Sequence, residues 1–562
     1  MGADLSQRAR WRVLPPVPDD YLDACALPGL LAQLLYNRGV RPAEIEPFLA
    51  ADYRMEGDPF LLPDISQAVS RVYRAVLRRE RIAVYGDFDV DGVTAVAILA
   101  VGLTKLGGDV IVYIPDRFTE GHGLNTPAIE KLHAHGTDLI ITADCGVTDV
   151  AQVGRAQELG IDVIVTDHHV PLDRLPRAVA VVDPKRRDSA YPCPGLAGAG
   201  VVFKFMQALF HGDSRAGWLI GALDLVALAT VTDLSPMVGE NRYLVKEGLK
   251  VLNKGSRPGI RAMIDLAGLK AGVLNSEHIS WVLGPRLNAA GRVNDASTSY
   301  RLLTTESAAE ARLLALELEE KNTERQKLSS EVLGRAKEKL AGKLHLPLLM
   351  EADESYSIGV IGPVAGKLVD AFYKPVVIVS IGPELCQGSC RSIAGFDMVL
   401  ALEKCGDLLS AFGGHPMAAG FTVPRRNLAR LEERLIGLAQ EQLGHLDLRP
   451  ELVIDAELPL SALTGEAFTS MQSLSPFGRD NPPPTFLTRQ VEVIECRSFG
   501  NNSDWLSMRL RQDSTTWQAV DFGHSEQGRQ VPSCIDIVYN LETGRWNGED
   551  VLRLNLRDLA PS

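Results

Sequence analysis

Five short apolar runs between residues 82 and 183 constrain the fold of this chain more than any other feature. The runs alternate with helix-like segments, and none of them alternates polar with apolar residues; they are IAVY, DVIVYI, DLIITA, DVIVT and AVAVV. Strands that alternate with crossover helices form a parallel sheet, and strands that are apolar throughout are covered on both faces. The sequence therefore predicts an α/β domain built on a parallel sheet, with polar residues gathered beyond the carboxyl ends of its strands.

The chain has 562 residues, more than one hydrophobic core can hold, so we expect several packed units. A second α/β pattern follows the first, with LPLLM and KPVVIVSIG as strands and glycine-rich turns at GVIG, CRSIAGF and FGGHPMAAGF. The predicted segments are an N-terminal helical segment at 1–60, a parallel-sheet domain at 61–304, a connecting helix at 305–342, an α/β domain at 343–445 and a small antiparallel barrel or sandwich domain at 446–562. A plain surface helix is an equally good interpretation of 305–342.

The composition is that of a soluble protein, with 46% hydrophobic and 23% charged residues and a formal charge of -13. The acidic excess argues against indiscriminate coating of DNA, but it leaves room for a local basic groove. The N-terminus lacks the apolar core of a secretory signal, and the most apolar later stretch is short and contains Asp224. We therefore expect a cytoplasmic protein without a membrane span, whose cysteines are free thiols.

Three carboxylates follow the first predicted strand in the segment YGDFDVDG, at Asp87, Asp89 and Asp91. Carboxylates this close repel one another unless cations share them. A solvated turn or an EF-hand loop is the competing interpretation, although the segment follows a strand and lacks the glutamate that ends an EF-hand loop. This motif alone leaves the choice open.

Further acids and imidazoles lie at the ends of other predicted elements of the same domain. They are Asp144 after the strand LIIT, Asp167, His168 and His169 after the strand VIVT, and Asp233 at the end of a buried helix predicted at 217–231. Because the carboxyl ends of parallel strands meet at one edge of a sheet, we expect these side chains to converge there. Carboxylate and imidazole ligands suit Mn²⁺ or Mg²⁺, and this many of them favour two ions over one. The sequence thus predicts metal-assisted hydrolysis.

These motifs resemble those of the DHH phosphoesterase family, because GDFDVDG, ADCG, DHH and TDLSPM occur here in the family's order. The RecJ branch of that family is indicated by IPDRFTEGHGLN at 114–125 and GPRLNAAGRV at 284–293, and FGGHPMAAGF at 412–421 resembles the DHHA1 domain. The resemblance implies a parallel-sheet DHH domain and an α/β DHHA1 domain joined by the long helix, with an OB-like barrel at the C-terminus.

The resemblance also implies a ligand set for two Mn²⁺ or Mg²⁺ ions. Asp89 and Asp91 would each hold an ion, and Asp144 would bridge the two. His168 and Asp233 would complete one of the sites.

At two positions of these motifs, the role of a metal ligand is not carried over directly from the family. Asp167 is expected to orient a neighbouring histidine instead of touching an ion. Many family members have a histidine where this chain has Tyr85. Since a phenol is a poor substitute, Asp87 or His169 is assigned to that place.

Two further departures lie outside the metal motifs. The RecJ branch usually has EGYGL, whereas this chain has EGHGL with His122, and YSIGVIG at 356–362 replaces a run that usually begins with Trp-His. We expect substrate contacts to differ there and the metal ligands to be unaffected.

A phosphate anchor is expected in the DHHA1-like domain, where the backbone amides of a glycine pair can approach a phosphate closely. Glycine pairs mostly mark turns, so this expectation depends on the resemblance. The residues assigned to phosphate or DNA binding are Arg117, Arg286, Asn288, Arg292, Ser389, Arg391, Ser392, Gly413, Gly414 and His415.

The segment WLSMRLRQ in the C-terminal domain alternates, so that Trp505, Arg509 and Arg511 share one face. Single-stranded nucleic acid needs such a face, because aromatic rings stack on bases and guanidinium groups bind phosphates. An amphipathic strand with an exposed tryptophan is the plain alternative.

The resemblance implies a single-stranded-DNA-specific 5′→3′ exonuclease that releases nucleoside 5′-monophosphates in DNA repair and recombination. Single-stranded DNA is the expected partner, with a single-strand-binding protein or a helicase beside it, and the chain is expected to act as a monomer. The alternatives are a DHH-family phosphodiesterase for cyclic dinucleotides or short oligonucleotides and a non-catalytic replication scaffold on a DHH core. The length of the chain weighs against the first and its complete set of ligands against the second.

Overall fold

A computed structural model of the chain describes residues 9–293, 295–499, 505–522, 531–546 and 549–562. Two compact units make up the structure. Residues 55–448 form the larger unit, and residues 1–54 together with 449–562 form the smaller one.

The N-terminal part of the smaller unit contains a strand and short helices. They are β1 (Arg10–Val13), α1 (Asp19–Cys25), α2 (Gly29–Asn37) and α3 (Ile45–Ala50). Apolar side chains of these helices, among them Leu34 and Phe48, pack into the core of the C-terminal barrel described below. The two ends of the chain thus share one hydrophobic core.

A parallel sheet lies at the centre of the larger unit. Its strands are β2 (Arg81–Gly86), β3 (Asp109–Tyr113), β4 (Leu139–Ala143), β5 (Asp162–Thr166) and β6 (Ala180–Val182). They pair in the order β3-β2-β4-β5-β6, and every pairing is parallel. Each predicted apolar run contains one of these strands, so the predicted parallel sheet is confirmed.

Helices cover both faces of this sheet, as the uninterrupted apolar strands predict. They are α4 (Ile65–Arg78), α5 (Val90–Leu106), α6 (Thr126–Ala134), α7 (Val150–Glu158), α8 (Gly198–Leu209) and α9 (Trp218–Thr232). Alternate residues of β2 enter different cores, since Ile82 and Val84 pack with α5 and α8, whereas Ala83 and Tyr85 pack with α6 and α7. Among the described residues, one helical stretch, Ser214–Thr232, is long and apolar enough to cross a membrane, and 61% of its apolar window is buried in the fold.

Further helices lead from this sheet to a long connecting helix. They are α10 (Gly239–Lys254), α11 (Pro258–Leu266), α12 (Ser276–His278), α13 (Gly284–Val293) and α14 (Ser297–Thr304), with a π-helical turn at Ile279–Leu283.

The long helix α15 (Ala308–Leu340) joins two hydrophobic cores. Its 33 residues span about 50 Å at 1.5 Å per residue. Leu314 and Leu318 pack into the core of the parallel-sheet domain, and Val332 and Leu340 pack into the core of the next domain. The predicted connecting helix is therefore confirmed, and the interpretation as a plain surface helix is wrong.

The second α/β domain of the larger unit contains a mixed sheet with helices packed against it. Its elements are β7 (Leu349–Asp353), α16 (Ile358–Phe372), β8 (Val376–Ile381), β9 (Leu385–Arg391), α17 (Met398–Glu403), β10 (Ala411–His415), β11 (Ala418–Pro424) and α18 (Leu428–Leu443). The strands pair in the order β10-β11-β9-β8-β7, where β7 and β8 are parallel and the other pairs antiparallel.

One of the three predicted glycine-rich turns is wrong, and the other two segments begin as strands before the chain turns. The GVIG segment lies in α16, the residues Ser389 and Arg391 belong to β9, and Gly413 and Gly414 belong to β10. Glycine is needed in these strands for close packing: a Cβ on Gly388 would lie 2.2 Å from the Phe421 ring. The chain turns at Ala394 and Gly395 after β9, and again between β10 and β11.

The C-terminal part of the smaller unit is a closed barrel, as predicted. Its elements are β12 (Glu451–Ile454), β13 (Ala456–Glu457), α19 (Gly465–Gln472), β14 (Phe486–Phe499), β15 (Trp505–Gln512), β16 (Thr515–Asp521), β17 (Cys534–Trp546) and β18 (Glu549–Pro561). Strand order β13-β14-β15-β16-β18-β17 and an additional pairing between β14 and β17 close the sheet on itself. The short strand β12 pairs in parallel with β1.

Candidate metal centre

The predicted metal ligands meet where strands of the parallel sheet end. Asp87 follows β2, and Asp89 is the residue before α5, where its carboxylate accepts a hydrogen bond from Gly92 N. Asp144 follows β4, and the Asp-His-His segment follows β5. Asp233 caps the carboxyl end of α9. The edge predicted from the sequence is therefore the edge where these side chains lie.

Three overlapping groups of side chains could each hold a metal ion, with the ligand atoms of each group within 4.8 Å of one another. The groups are Asp87 with Asp89 and Asp144; Asp91 with His168 and Asp233; and Asp144 with His168 and His169. Asp144 and His168 each belong to two groups. The arrangement suits two neighbouring ions with Asp144 between them.

The Asp144 carboxylate has a free acceptor atom that fits a cation. Its Oδ1 is buried and accepts no hydrogen bond from the residues that the structure describes, although His168 Nε2 lies 3.1 Å away. Its backbone adopts a left-handed φ of 64°, which is uncommon outside glycine and marks functional sites. Gly198 packs so closely that a Cβ there would lie 2.6 Å from Asp144 Cβ. Backbone and neighbour together fix this carboxylate in place.

The pKa values of the buried acids show how strongly charge is concentrated here. Burial, reinforced by Asp91 and Asp89, raises the pKa of Asp144 well above its ordinary range. Burial also raises the pKa of Asp89, with the charge of Asp87 adding to it, and it raises the pKa of Asp91 to about 7. Divalent cations would offset this repulsion, so the donor set fits two hard ions such as Mn²⁺ or Mg²⁺.

Hydrogen bonds orient both histidines. His168 Nδ1 lies 3.0 Å from the Leu196 carbonyl oxygen, which leaves Nε2 facing Asp144. His169 Nδ1 lies 2.8 Å from Asp167 Oδ1. Burial acts to lower the pKa of His169, but the Asp167 hydrogen bond and the charges of Asp167 and Asp144 together outweigh it and raise that pKa to about 9. Such bonds select the tautomer and direct the ring of a metal-binding histidine.

The position of Tyr85 differs from that of a metal ligand. Its ring is fully buried and stacks on Tyr113, and its Oη donates to the Gly123 carbonyl oxygen at 2.9 Å. The departure at His122 was expected to leave the metal ligands unaffected. In the structure, His122 Nδ1 lies 2.8 Å from Asp87 Oδ2. This contact with a candidate ligand was not predicted, because the loop that brings His122 to Asp87 has no sequence pattern of its own.

A group of partly buried arginines lies beside the metal centre. Arg292 is coupled electrostatically to Arg117, Arg325 and Arg391, and also to Asp89. Burial, followed by repulsion from Arg117 and Arg325, lowers the pKa of Arg292 to about 9. Arg325 was missed in the sequence because its segment resembles the charged surface of any long helix.

The first turn of α16 lies against two of these arginines. Arg292 Nη1 donates to the Gly359 carbonyl oxygen at 3.3 Å, and a Cβ on Gly362 would lie 3.1 Å from Ser389 Oγ and 3.3 Å from Arg391 Nη2. The N-terminal end of a helix carries a partial positive charge, so this corner is suited to an anion. A cavity of about 210 Å³ adjoins it, lined among others by Asn288, Arg292 and Arg325.

Other predicted phosphate contacts have different partners. Arg286 pairs with Glu319 on α15 at 2.5 Å. Asn288 Oδ1 accepts a hydrogen bond from Val90 N, and Ser392 Oγ donates to the Phe396 carbonyl oxygen. These contacts stabilise the fold around the site.

The exposed strand β10 carries Gly413, Gly414 and His415. Burial lowers the pKa of His415, and the charges of His169 and Asp233 act on it, which places this imidazole near the metal centre.

In the smaller unit, β15 shows the predicted alternation. Leu506, Met508 and Leu510 are buried, and Trp505 is 41% exposed. Arg511 pairs with Glu492 at 2.6 Å, and Arg509 Nε lies 4.0 Å from a Glu495 oxygen.

Two further rings join Trp505 on the barrel. Phe499 and Phe522 lie 5.5 Å from it between ring centroids, and the Arg553 guanidinium lies 5.3 Å above Phe522. These residues were not predicted from the sequence, because the cluster depends on the register of β14 with β15 and on the pairing of β16 with β18.

Comparison with known proteins identifies the family. The model of the DHH family N-terminal domain matches residues 81–230, that of the DHHA1 domain matches 344–441, and that of the RecJ OB domain matches 454–558. A single-stranded-DNA-specific exonuclease RecJ from Bacillus subtilis is 37% identical over 99% of this chain and 72% of its own length. RecJ from Salmonella typhimurium is 33% identical over 95% of this chain and 96% of its own.

Solved structures agree. The crystal structure of Thermus thermophilus RecJ with Mn²⁺ superposes with a TM-score of 0.83 at 30% identity, covering 99% of this chain and 80% of that one. The same protein was also solved with Mg²⁺, so both expected ions are found in the family. The predicted fold and the resemblance are confirmed, and the chain belongs to the RecJ family of single-stranded-DNA-specific exonucleases.

Proposed function

We propose that this protein hydrolyses single-stranded DNA from its 5′ end and releases nucleoside 5′-monophosphates. The observation that carries the proposal is the pairing of two adjacent sites: a carboxylate and histidine cluster for two ions, and a group of partly buried arginines beside it. Hydrolysis needs the first, and recognition of a phosphate needs the second.

The ligand groups divide between two ions in a simple way. Asp87 and Asp89 would hold one ion, Asp91, His168 and Asp233 the other, and Asp144 would bridge them, with His169 next to the bridge. Bound divalent cations supply Lewis-acid chemistry, which makes a water molecule nucleophilic at neutral pH and stabilises the leaving oxygen.

The side chains around the ions bind and orient. Asp167 and the Leu196 carbonyl oxygen hold the two imidazoles in the tautomers that the site needs. Arg117, Arg292 and Arg391 would bind the terminal phosphate of the strand. Such an anchor at a fixed distance from the ions would set the cut one nucleotide from the end.

The barrel supplies a second contact with the substrate. The rings of Trp505, Phe499 and Phe522 would stack on bases, and nearby guanidinium groups would bind phosphates. We infer that the enzyme acts in DNA repair and recombination in the cytoplasm as a monomer, together with a single-strand-binding protein or a helicase.

Product analysis tests the proposal. The purified protein is incubated with Mn²⁺ and 5′- or 3′-labelled single-stranded DNA, duplex DNA, RNA and a cyclic dinucleotide. We expect labelled mononucleotide from the 5′ end of single-stranded DNA at the earliest times, and no comparable turnover of the cyclic dinucleotide.

Two matched variants accompany this assay. Asp144→Asn should abolish turnover, and Asp173→Asn should leave it unchanged because Asp173 is an exposed surface acid. Release of label from the 3′ end first, or appreciable Mn²⁺-dependent cleavage by Asp144→Asn, would contradict the proposal.

A further inference from the structure

A histidine outside the candidate ligand groups forms a hydrogen bond with the Asp87 carboxylate. His122 Nδ1 lies 2.8 Å from Asp87 Oδ2, and the imidazole packs on the Phe88 ring with 4.3 Å between centroids. Among the described residues, none of the groups suited to a metal ion includes His122. Its side chain is 65% exposed, whereas that of Asp87 is 9% exposed. His122 therefore touches a ligand from the solvent side without entering the cluster.

The other oxygen of Asp87 is also engaged. Its Oδ1 accepts a hydrogen bond from Phe88 N at 2.8 Å. An ionised carboxylate oxygen has two acceptor positions, so each oxygen retains one after these bonds. The two bonds thus fix the plane of the carboxylate while leaving it able to hold an ion together with Asp89 and Asp144.

Tyr85, in the strand that precedes Asp87, forms hydrogen bonds with the loop that carries His122. Tyr85 Oη donates to the Gly123 carbonyl oxygen at 2.9 Å and accepts from Asn125 Nδ2 at 3.1 Å. Asp149 accepts from Leu124 N at 2.8 Å. Tyr85 is fully buried, so its hydroxyl is a fixed point for the loop.

The left-handed turn after His122 adds to this constraint. Gly123 has a φ of 77°, and a Cβ there would lie 2.7 Å from an Asp149 carboxylate oxygen. Glycine is therefore required for the loop to approach Asp149. Asp87 directly follows strand β2, and Tyr85 within β2 also places His122, the hydrogen-bond partner of Asp87.

We propose that His122 is a positioning residue for the metal centre, which holds the Asp87 carboxylate through Nδ1 and is itself placed by Tyr85. The inference rests on the proposed function, since it deepens the account of the same site. Outer hydrogen bonds to metal ligands typically change metal affinity by about 10- to 100-fold when they are removed. His122 would thus act on Mn²⁺ binding before any DNA is present.

The test measures Mn²⁺ binding to the full-length protein without DNA, by calorimetry and by the electron paramagnetic resonance signal of free Mn²⁺. The variants are His122→Ala, His122→Asn, Tyr85→Phe and the control His133→Ala, in which an exposed histidine on α6 is replaced. Asparagine can donate from nearly the position of Nδ1, whereas alanine cannot.

We expect His122→Ala to weaken the binding of one ion by about 10- to 100-fold. His122→Asn should retain most of the affinity, Tyr85→Phe should lose part of it, and the control should bind as the wild type does. A His122→Ala and Tyr85→Phe double variant should lose no more than His122→Ala alone, because both changes break one chain of contacts.

Three results would overturn the inference. The first is wild-type Mn²⁺ affinity in His122→Ala together with a raised KM for single-stranded DNA, which would make His122 a DNA contact. The second is an equal loss in His122→Asn and His122→Ala. If His122→Ala does not fold, unchanged affinity in Tyr85→Phe has the same consequence. A wild-type protein that binds Mn²⁺ but cuts no DNA contradicts the proposed function instead, so the two failures are distinct.

Discussion

Replacing Asp91 by asparagine should stabilise the metal-free protein at neutral pH, although it removes a metal ligand. The Asp91 side chain is 2% exposed, and its two oxygens accept hydrogen bonds from Gly198 N and Ala199 N at 2.7 Å each. Burial raises its pKa from 3.8 to about 7; the charge of His168 opposes the rise, and the charges of neighbouring acids favour it. The ionised form is thus costly in the folded protein.

The pH at which this cost appears follows from the direction of the shift. Because the folded pKa lies above the unfolded one, the contribution of Asp91 to stability is complete below pH 4 and is lost as the pH rises towards 7. Each pKa unit corresponds to about 1.4 kcal/mol, so the cost is on the order of 4 kcal/mol at pH 7 and on the order of 1 to 2 kcal/mol at pH 5. Asparagine cannot ionise and has no such cost.

Asparagine has its own penalty, which does not vary with pH. Its amide nitrogen cannot accept from one of the two backbone donors, and an unpaired buried donor costs about 1 to 3 kcal/mol. The variant should therefore be more stable than wild type by roughly 1 to 3 kcal/mol at pH 7 and close to wild type, or less stable, at pH 5.

Urea unfolding in EDTA at pH 7 and pH 5 measures this difference. Wild type, Asp91→Asn and the surface control Asp173→Asn are compared, and the advantage of Asp91→Asn should fall by roughly 2 kcal/mol between the two pH values. Saturating Mn²⁺ should reverse the order, because it stabilises the wild type more. A stability difference that is the same at both pH values would refute the reasoning.

Three further predictions concern other parts of the site and the barrel. Gly198→Ala would place a Cβ 2.6 Å from Asp144 Cβ, so the single-turnover rate of DNA hydrolysis should fall at least about 10-fold. Circular dichroism should show that the variant is folded. An unchanged rate would show that Asp144 can shift freely. Arg391→Ala should raise KM for 5′-phosphorylated single-stranded DNA more than for the 5′-hydroxyl form, and equal effects on both would count against a phosphate anchor. Trp505→Ala should weaken binding of long single-stranded DNA by about 1 to 3 kcal/mol in fluorescence anisotropy, while hydrolysis of a dinucleotide keeps its rate; slower dinucleotide hydrolysis would contradict a role limited to the barrel.

The sequence allowed the sheet and its polar edge to be predicted because both depend on local patterns. Apolar runs such as LIIT and VIVT are strands by composition, and the acids after them must lie at one edge once the strands are parallel. Asp144 and His168 could therefore be placed together without any structure. Their placement at one edge of the sheet does not depend on which side chains face each other.

Pairings between side chains could not be predicted, because they depend on how loops fold back. His122 belongs to a loop without periodicity, and its contact with Asp87 arises from the bonds that Tyr85 makes to that loop. Arg286 lies in a motif typical of substrate binding, but its guanidinium forms an ion pair with Glu319 on the long helix α15. The domain boundaries and the roles assigned to individual site residues remain predictions.

Gly413 and Gly414, which lie in β10, were assigned to a turn for a related reason. Glycine is selected both where a chain turns and where two backbones or a ring approach closely, and the two cases look alike in a sequence. Gly388 faces the Phe421 ring inside a sheet, and Gly414 has a φ of 137° inside a strand. Only the pairing of β9, β10 and β11 distinguishes these uses.

The formal charge of -13 and a DNA substrate are compatible because the charges are distributed unevenly. Several acids are concentrated in the metal centre, where bound divalent cations would neutralise them. Three partly buried arginines, Arg117, Arg292 and Arg391, lie beside that centre, and their partial burial weakens the screening of their charges by salt. The attraction for a strand end would thus be short-ranged and local, whereas the acidic remainder of the surface would repel DNA. A strand would then bind most tightly with its terminal phosphate at the arginines, which favours cutting at an end.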